Sequence, residues 1–233
     1  MKIIRTFCTW LVLLALGAAL VIGGLITFQG WRMYRDALAR QPLAQTVEAI
    51  RAQPGYTPLS GLPQIYLNAV IAVEDHRFTQ HGGIDPIAIA RATLHDIATR
   101  SLDQGGSTIT QQVAKNLFFT QEKEFSRKIA EVFMAFALER SYTKGEILEL
   151  YVNTIYFGDG YYGVSAACAG YFGKAPGQLT DYEATLLAGI PNAPSVYSLS
   201  ANPDLAAQRQ AYVVGQLVKY GYLTDEEAAA ITP

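Results

Sequence analysis

The hydrophobic pattern divides the chain into one uninterrupted apolar stretch and a longer region with helical periodicity. Residues 7–28 contain no charged side chain. At about 1.5 Å of rise per residue, a helix of this length can cross a bilayer core of about 30 Å. Trp10 lies near one end, and Trp31 and Tyr34 lie near the other, where interfacial aromatic residues are expected. The pattern predicts a transmembrane anchor in residues 1–31.

A buried core helix and a cleaved signal peptide are the alternatives to this anchor. A core helix of that length would seldom lack a polar interruption. No small-residue cleavage motif is followed by a polar mature start, and residues 31–35 look like an interfacial anchor instead. The charges do not decide the orientation, because two basic residues flank the stretch on each side.

Beyond the anchor, a segment rich in proline and glycine comes first, and a longer region with helical periodicity follows. Proline and glycine interrupt residues 32–60, which form a predicted connector with short helical pieces near the membrane surface. In residues 61–233, alternating strand patterns are scarce. Three helix starts there have a capping box: Thr143 with Glu146, Thr180 with Glu183, and Thr224 with Glu227. The expected fold is a mainly α globular domain on a membrane stalk.

Charge and cysteine usage exclude several classes of function. The net charge of −2 is unlike the strong basic excess of nucleic-acid binders, so no nucleic acid is expected as a partner. Cys8 lies in the apolar stretch and Cys168 lies in the domain, so we expect neither a disulfide nor thiol chemistry. The three histidines lack the spacing of a structural zinc site.

Two adjacent carboxylates, Glu74 and Asp75, close an apolar segment and precede an aromatic residue, a histidine and two glycines. A carboxylate held at the mouth of a cleft and partly desolvated has a raised pKa and can act as a base near neutral pH. From this segment alone, an equally good interpretation is that the pair caps a helix or binds Arg77.

A glycine turn at residues 105–106 leads into a helix with an unusual polar face. At about 100° per residue, that face contains one cation among hydroxyl and amide groups. Its members are Thr108, Gln111, Gln112, Lys115 and Asn116. A solvated face would usually mix charges of both signs, whereas a groove for a hydroxyl-rich anionic ligand needs this composition. The alternative is a polar face packed on a neighbouring element.

Arg127 and Glu131 are i,i+4 neighbours at the start of a helix that is otherwise apolar. A simple salt bridge would explain them. Burying such a pair beside an apolar face is costly, however, unless a ligand or a function uses it. The next helical segment, residues 144–153, has a continuous apolar stripe and is interpreted as scaffold.

Together these segments resemble the peptidoglycan glycosyltransferase domain of family 51, which penicillin-binding proteins and monofunctional biosynthetic transglycosylases share. The matching motifs are E-D-x-x-F-x-x-H-x-G, G-G-S-T-I-T-Q-Q-x-x-K-N, R-K-x-x-E and K-x-x-I-L-x-x-Y-x-N, in that order. The chain lacks the complete transpeptidase set of S-x-x-K, S-x-N and K-T-G, because it has no K-T-G, so the monofunctional kind is expected. The resemblance implies a lysozyme-like helical fold with two lobes and a cleft. It also implies a bacterial cytoplasmic (inner) membrane location, single-pass, with the domain on the extracytoplasmic side.

Carried onto this chain, the resemblance implies an inverting hexosyltransferase that polymerises lipid II. Glu74 would be the general base that takes the proton of the acceptor sugar's 4-hydroxyl. The hydroxyl oxygen would attack the donor's anomeric carbon, a β-1,4 bond would form, and undecaprenyl diphosphate would leave. Lys115 and Arg127 would stabilise the leaving diphosphate. Glu131 would be the second catalytic carboxylate, orienting these cations or holding a divalent cation.

The resemblance also implies roles for the remaining motif residues. Asp75, Phe78 and His81 would shape the pocket of the base. Thr108, Gln112 and Asn116 would contact sugar or phosphate. No cofactor is required, and a divalent cation such as Mg or Mn is optional.

The expected partners are lipid II, the growing glycan chain, membrane lipids and other proteins of cell-wall synthesis or division. Phe118, Phe119 and Phe125 either dip into the membrane or pack in the core.

Two other functions stay open at this stage. A muramidase-type hydrolase or lytic enzyme would also use two carboxylates on the same sugar. The cations Lys115 and Arg127 argue against it, because a neutral glycosidic bond has no anionic leaving group. The other alternative is a non-catalytic membrane scaffold that binds a cell-wall precursor.

Overall fold

The structure is a computed structural model that describes residues 2–99, 105–119 and 125–233, with the backbone alone at 2–5 and 96–99. The only β pairing in this part of the chain is an isolated bridge between Tyr156 and Tyr162. The prediction of a mainly α protein is therefore confirmed, and the likeness to lysozyme stays a prediction. The α-helices are α1 (Lys2–Arg40), α2 (Leu43–Arg51), α3 (Gln64–Glu74), α4 (Pro86–Thr99), α5 (Ile109–Phe118), α6 (Phe125–Ser141), α7 (Lys144–Thr154), α8 (Val164–Phe172), α9 (Asp181–Gly189), α10 (Pro203–Lys219) and α11 (Asp225–Ala229).

The N-terminal helix α1 contains the apolar stretch, and its C-terminal part belongs to the folded domain. From Thr6 to Arg40 it is long and apolar enough to cross a membrane. Its C-terminal part packs against α6, where a Cβ on Gly30 would come within 2.6 Å of the Ile129 Cβ atom. The rings of Tyr34 and Phe133 meet there at 5.9 Å. The helix therefore continues without a break into the first part of the predicted connector.

The rest of the connector is docked on α7. The backbone N–H of Thr57 donates to Asn153 Oδ1 at 2.7 Å, and Asn153 Nδ2 donates to the Thr57 carbonyl oxygen at 2.8 Å. Glu149 accepts from the backbone N–H of Leu59 at 2.9 Å and from the hydroxyl of Tyr56. The polar residues of this scaffold helix thus hold the connector in place.

Local capping chemistry sets several helix starts as the sequence predicts. The Thr143, Thr180 and Thr224 capping boxes are all formed, with each threonine hydroxyl accepting the N–H of the glutamate three residues later. A fourth box, which the sequence analysis missed, starts α5, where Thr108 caps the helix with Gln111 in place of glutamate.

The core brings α3 to the centre of the molecule. This helix packs against α9 and α10, while α5 packs against α6 and α7. The buried residues of α3, which include Tyr66, Leu67 and Val70, belong to one continuous hydrophobic cluster. The C-terminal end of α3 therefore lies between the α5–α6 pair and α10, and this is where the cleft forms.

Candidate active site

A cleft of about 440 Å³ opens between the end of α3, the polar sides of α5 and α6, and α10. Four residues predicted from three separate motifs line it: Glu74, Gln112, Lys115 and Glu131. We call these four residues together with Lys128 the motif wall. The fold thus brings the predicted base, a predicted cation and the second carboxylate to one cavity.

Glu74 is the last residue of α3, which ends because Asp75 leaves the helical conformation with φ −159° and ψ 74°. Glu74 Oε2 accepts a hydrogen bond from Gln112 Nε2 at 2.6 Å. The second oxygen, Oε1, is buried and has no hydrogen-bond partner among the described residues. Burial raises the pKa of Glu74, and the Gln112 hydrogen bond and the charges of Arg209 and Lys115 oppose that rise. Such a carboxylate is suited to accept a proton near neutral pH.

Asp75 joins the end of α3 to the start of α5. Its carboxylate accepts from His81 Nε2 at 2.9 Å and from the backbone N–H of Ile109, the first residue of α5, at 3.1 Å. Burial raises the pKa of Asp75, and His81 opposes this rise. Asp75 and His81 therefore fix the position of Glu74 relative to Gln112 without lining the cleft themselves.

Two other predicted site residues serve the fold behind the cleft. The hydroxyl of Thr108 accepts from the Gln111 N–H at 3.1 Å and donates to the Gly83 carbonyl oxygen at 2.6 Å. Phe78 is buried in the core, with Lys144 Nζ 4.4 Å from its ring centroid. Thr108 is not among the residues that line the cleft, although the resemblance implies a substrate contact there.

The second carboxylate, Glu131, is held by two cations. Its side chain is 2% exposed, pairs with Arg127, and lies 3.1 Å from Lys128 Nζ. Lys128 also donates to Ser107 Oγ at 2.7 Å. Lys128 lines the cleft, whereas Arg127 and Asn116 are not among its lining residues. The R-K-x-x-E motif therefore contributes a lysine that the sequence analysis did not select.

The opposite side of the cleft was missed by the sequence analysis. Four residues of α10 line it at helical spacing: Arg209, Tyr212, Gln216 and Lys219. We call this set the α10 wall. This helix face combines cationic, aromatic and amide side chains, which is the same kind of pattern as the polar face of α5. It could therefore have been recognised from the sequence.

An aromatic stack lies at the edge of this wall. The rings of His76 and Tyr220 stack with centroids 4.3 Å apart and an interplanar angle of 12°. Arg91 Nη1 lies 3.3 Å from His76 Nε2. All three residues line the cleft, so the stack connects the loop after α3 to the end of α10.

The charge of the cleft is positive. Its lining carries two carboxylates, Glu74 and Glu131, and five cations: Arg91, Lys115, Lys128, Arg209 and Lys219. Within the described residues, only Lys128 of these five forms an ion pair with a carboxylate. A cavity with uncompensated positive charge favours an anionic ligand.

The acidic residues that the structure describes near the cleft already have protein partners. Both oxygens of Glu131 already contact cations, which would repel a metal ion. Possible ligand atoms of Asp75, His81 and Asp85 lie within 4.8 Å of one another. Asp85, however, accepts from Arg77 Nε at 3.0 Å and from the Ile87 N–H at 2.9 Å. The group is therefore a hydrogen-bond network between the helices.

A helical domain with an apolar N-terminal helix, a carboxylate base and a cationic cleft has the features of an enzyme that transfers a group from an anionic donor. Residues 41–218 match the family model described as Transglycosylase, and the chain belongs to this family of glycosyl transferases of peptidoglycan synthesis.

Named relatives agree with this assignment. The "Putative transglycosylase" of Cupriavidus necator is 42% identical over 186 residues, which are 80% of this chain and 80% of the relative. Penicillin-binding protein 1A of Aquifex aeolicus is 45% identical over 172 residues, 74% of this chain and 24% of the relative. Penicillin-binding protein 1F of Bacillus subtilis is 45% identical over 170 residues, 73% of this chain and 24% of the relative. The chain therefore matches about a quarter of the length of these penicillin-binding proteins, and the resemblance seen in its motifs is confirmed.

Proposed function

We propose that the protein polymerises lipid II into β-1,4-linked glycan strands and releases undecaprenyl diphosphate. The observation that carries this proposal is the position of Glu74, a carboxylate with a raised pKa at the wall of a cleft that holds five cations. A sugar hydroxyl needs a base to become a nucleophile. A departing diphosphate needs positive charge at the place where its negative charge develops.

Glu74 Oε2 is the oxygen that we assign to proton transfer. Its partner Gln112 lines the cleft, while Oε1 is enclosed. One lone pair of Oε2 accepts the Gln112 amide, and the other accepts the proton of the acceptor's 4-hydroxyl. The hydroxyl oxygen then bonds to the donor's anomeric carbon as the bond to the diphosphate breaks, and that bonding pair leaves with the diphosphate. A single displacement from the opposite face inverts the anomeric centre.

The leaving diphosphate is stabilised by the lysines of the motif wall. Lys115 and Lys128 both line the cleft, and Lys128 is fixed between Ser107 and Glu131. Arg127 acts through Glu131, with which it pairs. Glu131 is thus a counter-ion that orients two cations, and we propose no cofactor and no metal ion at this carboxylate.

The membrane location of the substrate fits the stalk. In this proposal α1 spans the bacterial cytoplasmic membrane once, with the domain on the extracytoplasmic side, next to the outer leaflet in which the lipid tail of lipid II resides. Of the three phenylalanines considered for membrane contact, Phe118 is buried and Phe119 is packed against the core, whereas Phe125 is 84% exposed. Residues 120–124 between them lie outside the described residues.

The proposal is tested by the products of the purified full-length protein. With fluorescent lipid II, we expect glycan polymers and one undecaprenyl diphosphate for each bond formed. Soluble fragments released from intact sacculi, without polymer from lipid II, would support the hydrolase instead. Binding of lipid II without turnover would support the scaffold.

A further inference from the structure

Behind the base, three buried polar atoms lack a hydrogen-bond partner among the described residues. They are Glu74 Oε1 and the hydroxyl oxygens of Tyr66 and Tyr151. Tyr66 lies on α3 and is 0% exposed, and Tyr151 lies on α7 and is 1% exposed. Nearly all buried polar groups in proteins are hydrogen-bonded, so these three unpaired atoms require an explanation.

These three groups lie within electrostatic reach of one another. Burial is the main cause that raises the pKa of both tyrosine hydroxyls well above the usual value, and the charge of Glu74 raises both further. The two tyrosines also interact with each other. The charge of Glu74 thus reaches two buried hydroxyl donors that have no other hydrogen-bond partner among the described residues, and its own Oε1 has free lone pairs. A buried water molecule is stable where it can bond to two to four polar groups.

We propose that Tyr66 and Tyr151 are positioning residues that donate hydrogen bonds toward Glu74 Oε1, bridged by one enclosed water molecule. This contact holds the inner oxygen of the base and keeps Oε2 toward Gln112 and the cleft. This proposal depends on the proposed function only because it treats Glu74 as the catalytic base. Neither tyrosine stands out in the sequence, because Tyr66 lies in an apolar run and Tyr151 lies on the scaffold helix.

The tyrosine donors have a defined electrostatic effect. A hydrogen bond to the ionised carboxylate lowers its pKa and so opposes the effect of burial. The other groups that act on Glu74 are Gln112 and Lys115 from α5, Arg209 from α10, and the neighbouring carboxylate Asp75. None of these is bonded to Oε1. Removing a tyrosine hydroxyl should therefore move the titration of Glu74 to higher pH.

The direct test is a titration of Glu74 that needs no substrate. Full-length protein labelled with 13C at the glutamate carboxyl carbons is titrated by NMR, and the Glu74 signal is identified by its loss in Glu74→Gln. We expect Tyr66→Phe and Tyr151→Phe each to raise the midpoint by about half to one pH unit, and the double variant to raise it further.

The matched control is Tyr171→Phe. The hydroxyl of Tyr171 donates to the Phe157 carbonyl oxygen at 2.8 Å, and Glu74 is not among the groups that act on it. This change should lower the melting temperature and leave the Glu74 midpoint unchanged. A merely structural role for Tyr66 and Tyr151 would make their variants behave in the same way.

The pH dependence of lipid II polymerisation supplies a second readout. The acidic limb of kcat should move in the same direction as the NMR midpoint. An unmoved midpoint in the double variant would overturn the proposal, and so would a higher melting temperature with no shift. If a phenylalanine variant does not fold, 3-fluorotyrosine at the same position is a stronger donor and should lower the midpoint, and no change would overturn the proposal. A shifted midpoint in a protein that makes no polymer would refute the proposed function alone.

Discussion

The two sides of the cleft are built differently. On the motif wall, four of the five side chains are held by the protein itself: Gln112 bonds to Glu74, and Lys128 bonds to Ser107 and Glu131. On the α10 wall, cations lie over aromatic rings. Arg209 lies 4.6 Å from the ring centroid of Tyr212, and Lys219 lies 5.2 Å from that of Tyr220. Within the described residues, neither of these cations forms an ion pair with a carboxylate.

This difference indicates that the two walls have different roles, one in the chemical step and the other in substrate binding. Preorganised groups suit the chemical step, because they need no rearrangement when charge develops. Uncompensated cations beside aromatic rings suit binding, because an anionic substrate supplies the missing counter-charge. We therefore expect changes in the motif wall to act mainly on kcat and changes in the α10 wall to act mainly on KM.

The largest effect on the motif wall, apart from the base itself, is expected for Glu131→Gln. It leaves Arg127 and Lys128 without their shared counter-ion. Turnover should fall by about 10²–10³-fold, and the free energy of unfolding should fall by about 3–5 kcal/mol. Steady-state kinetics and urea unfolding measure these two quantities.

The matched control for this variant is Glu139→Gln. Glu139 lies on the same helix and accepts from Thr110 and Lys144, but it does not line the cleft. The Glu139→Gln variant should be less stable than the wild type and should keep the same turnover per folded molecule. Equal losses of turnover in both variants would mean that Glu131 has only a structural role.

On the α10 wall, Lys219→Gln should raise KM for lipid II by about 10–100-fold, since a lost charged contact contributes about 1.5–3 kcal/mol. The effect should shrink at high salt, where exposed charges are screened. Arg209→Gln should also raise KM, and it should lower kcat as well because Arg209 acts on Glu74. Lys174→Gln removes a lysine that pairs with Glu183 at 2.7 Å and should leave KM unchanged. An unchanged KM in Lys219→Gln would contradict a binding role for this wall.

Thr108 lies outside the motif wall, and we expect its hydroxyl to have a structural role only. Thr108→Ala removes the N-cap of α5 and should lower the free energy of unfolding by about 1–2 kcal/mol with KM unchanged. Thr108→Ser keeps the cap and should restore stability. Urea unfolding and kinetics on the two variants check this prediction. A KM that is raised in Thr108→Ala and restored in Thr108→Ser would instead indicate that the hydroxyl contacts the substrate.

The smallest effect is a gain of stability in Glu74→Gln. Because the pKa of Glu74 is higher in the folded protein than in the unfolded chain, its ionisation costs stability. That cost is absent below the ordinary pKa of glutamate and fully present above the raised value. The variant should therefore melt a few degrees higher than the wild type at neutral pH, with the difference vanishing in acid. Thermal unfolding at several pH values measures it, and a constant difference at every pH would mean that ionisation of Glu74 is not the cause.

What the sequence predicts well is local. The three Thr–Glu capping boxes form because the threonine and the glutamate need only one helical turn to meet. The polar face of α5 does supply Gln112 and Lys115 to the cleft, because helical geometry fixes which residues share a face. The same geometry cannot tell a capping hydroxyl from a ligand contact, since both use one oxygen, so the substrate contact of Thr108 stays a prediction that its role as the cap of α5 makes less expected.

What the sequence does not predict is which distant helices meet. Arg209 acts on Glu74 although 135 positions separate them, because α10 packs against α3. Phe118 carries the same kind of side chain as the exposed Phe125, yet it packs in the core because it lies on the inner side of α5. Tertiary contacts of this kind decide burial, and no local pattern encodes them.

The central claim is that Glu74 takes the proton from the attacking hydroxyl. It is tested most directly by single-turnover polymerisation of lipid II with Glu74→Gln, alongside Glu48→Gln, which changes an exposed glutamate on α2. The account predicts a rate about 10²–10⁴-fold lower for Glu74→Gln, with lipid II still bound, and a wild-type rate for Glu48→Gln. A Glu74→Gln rate within a few-fold of the wild type would contradict the account.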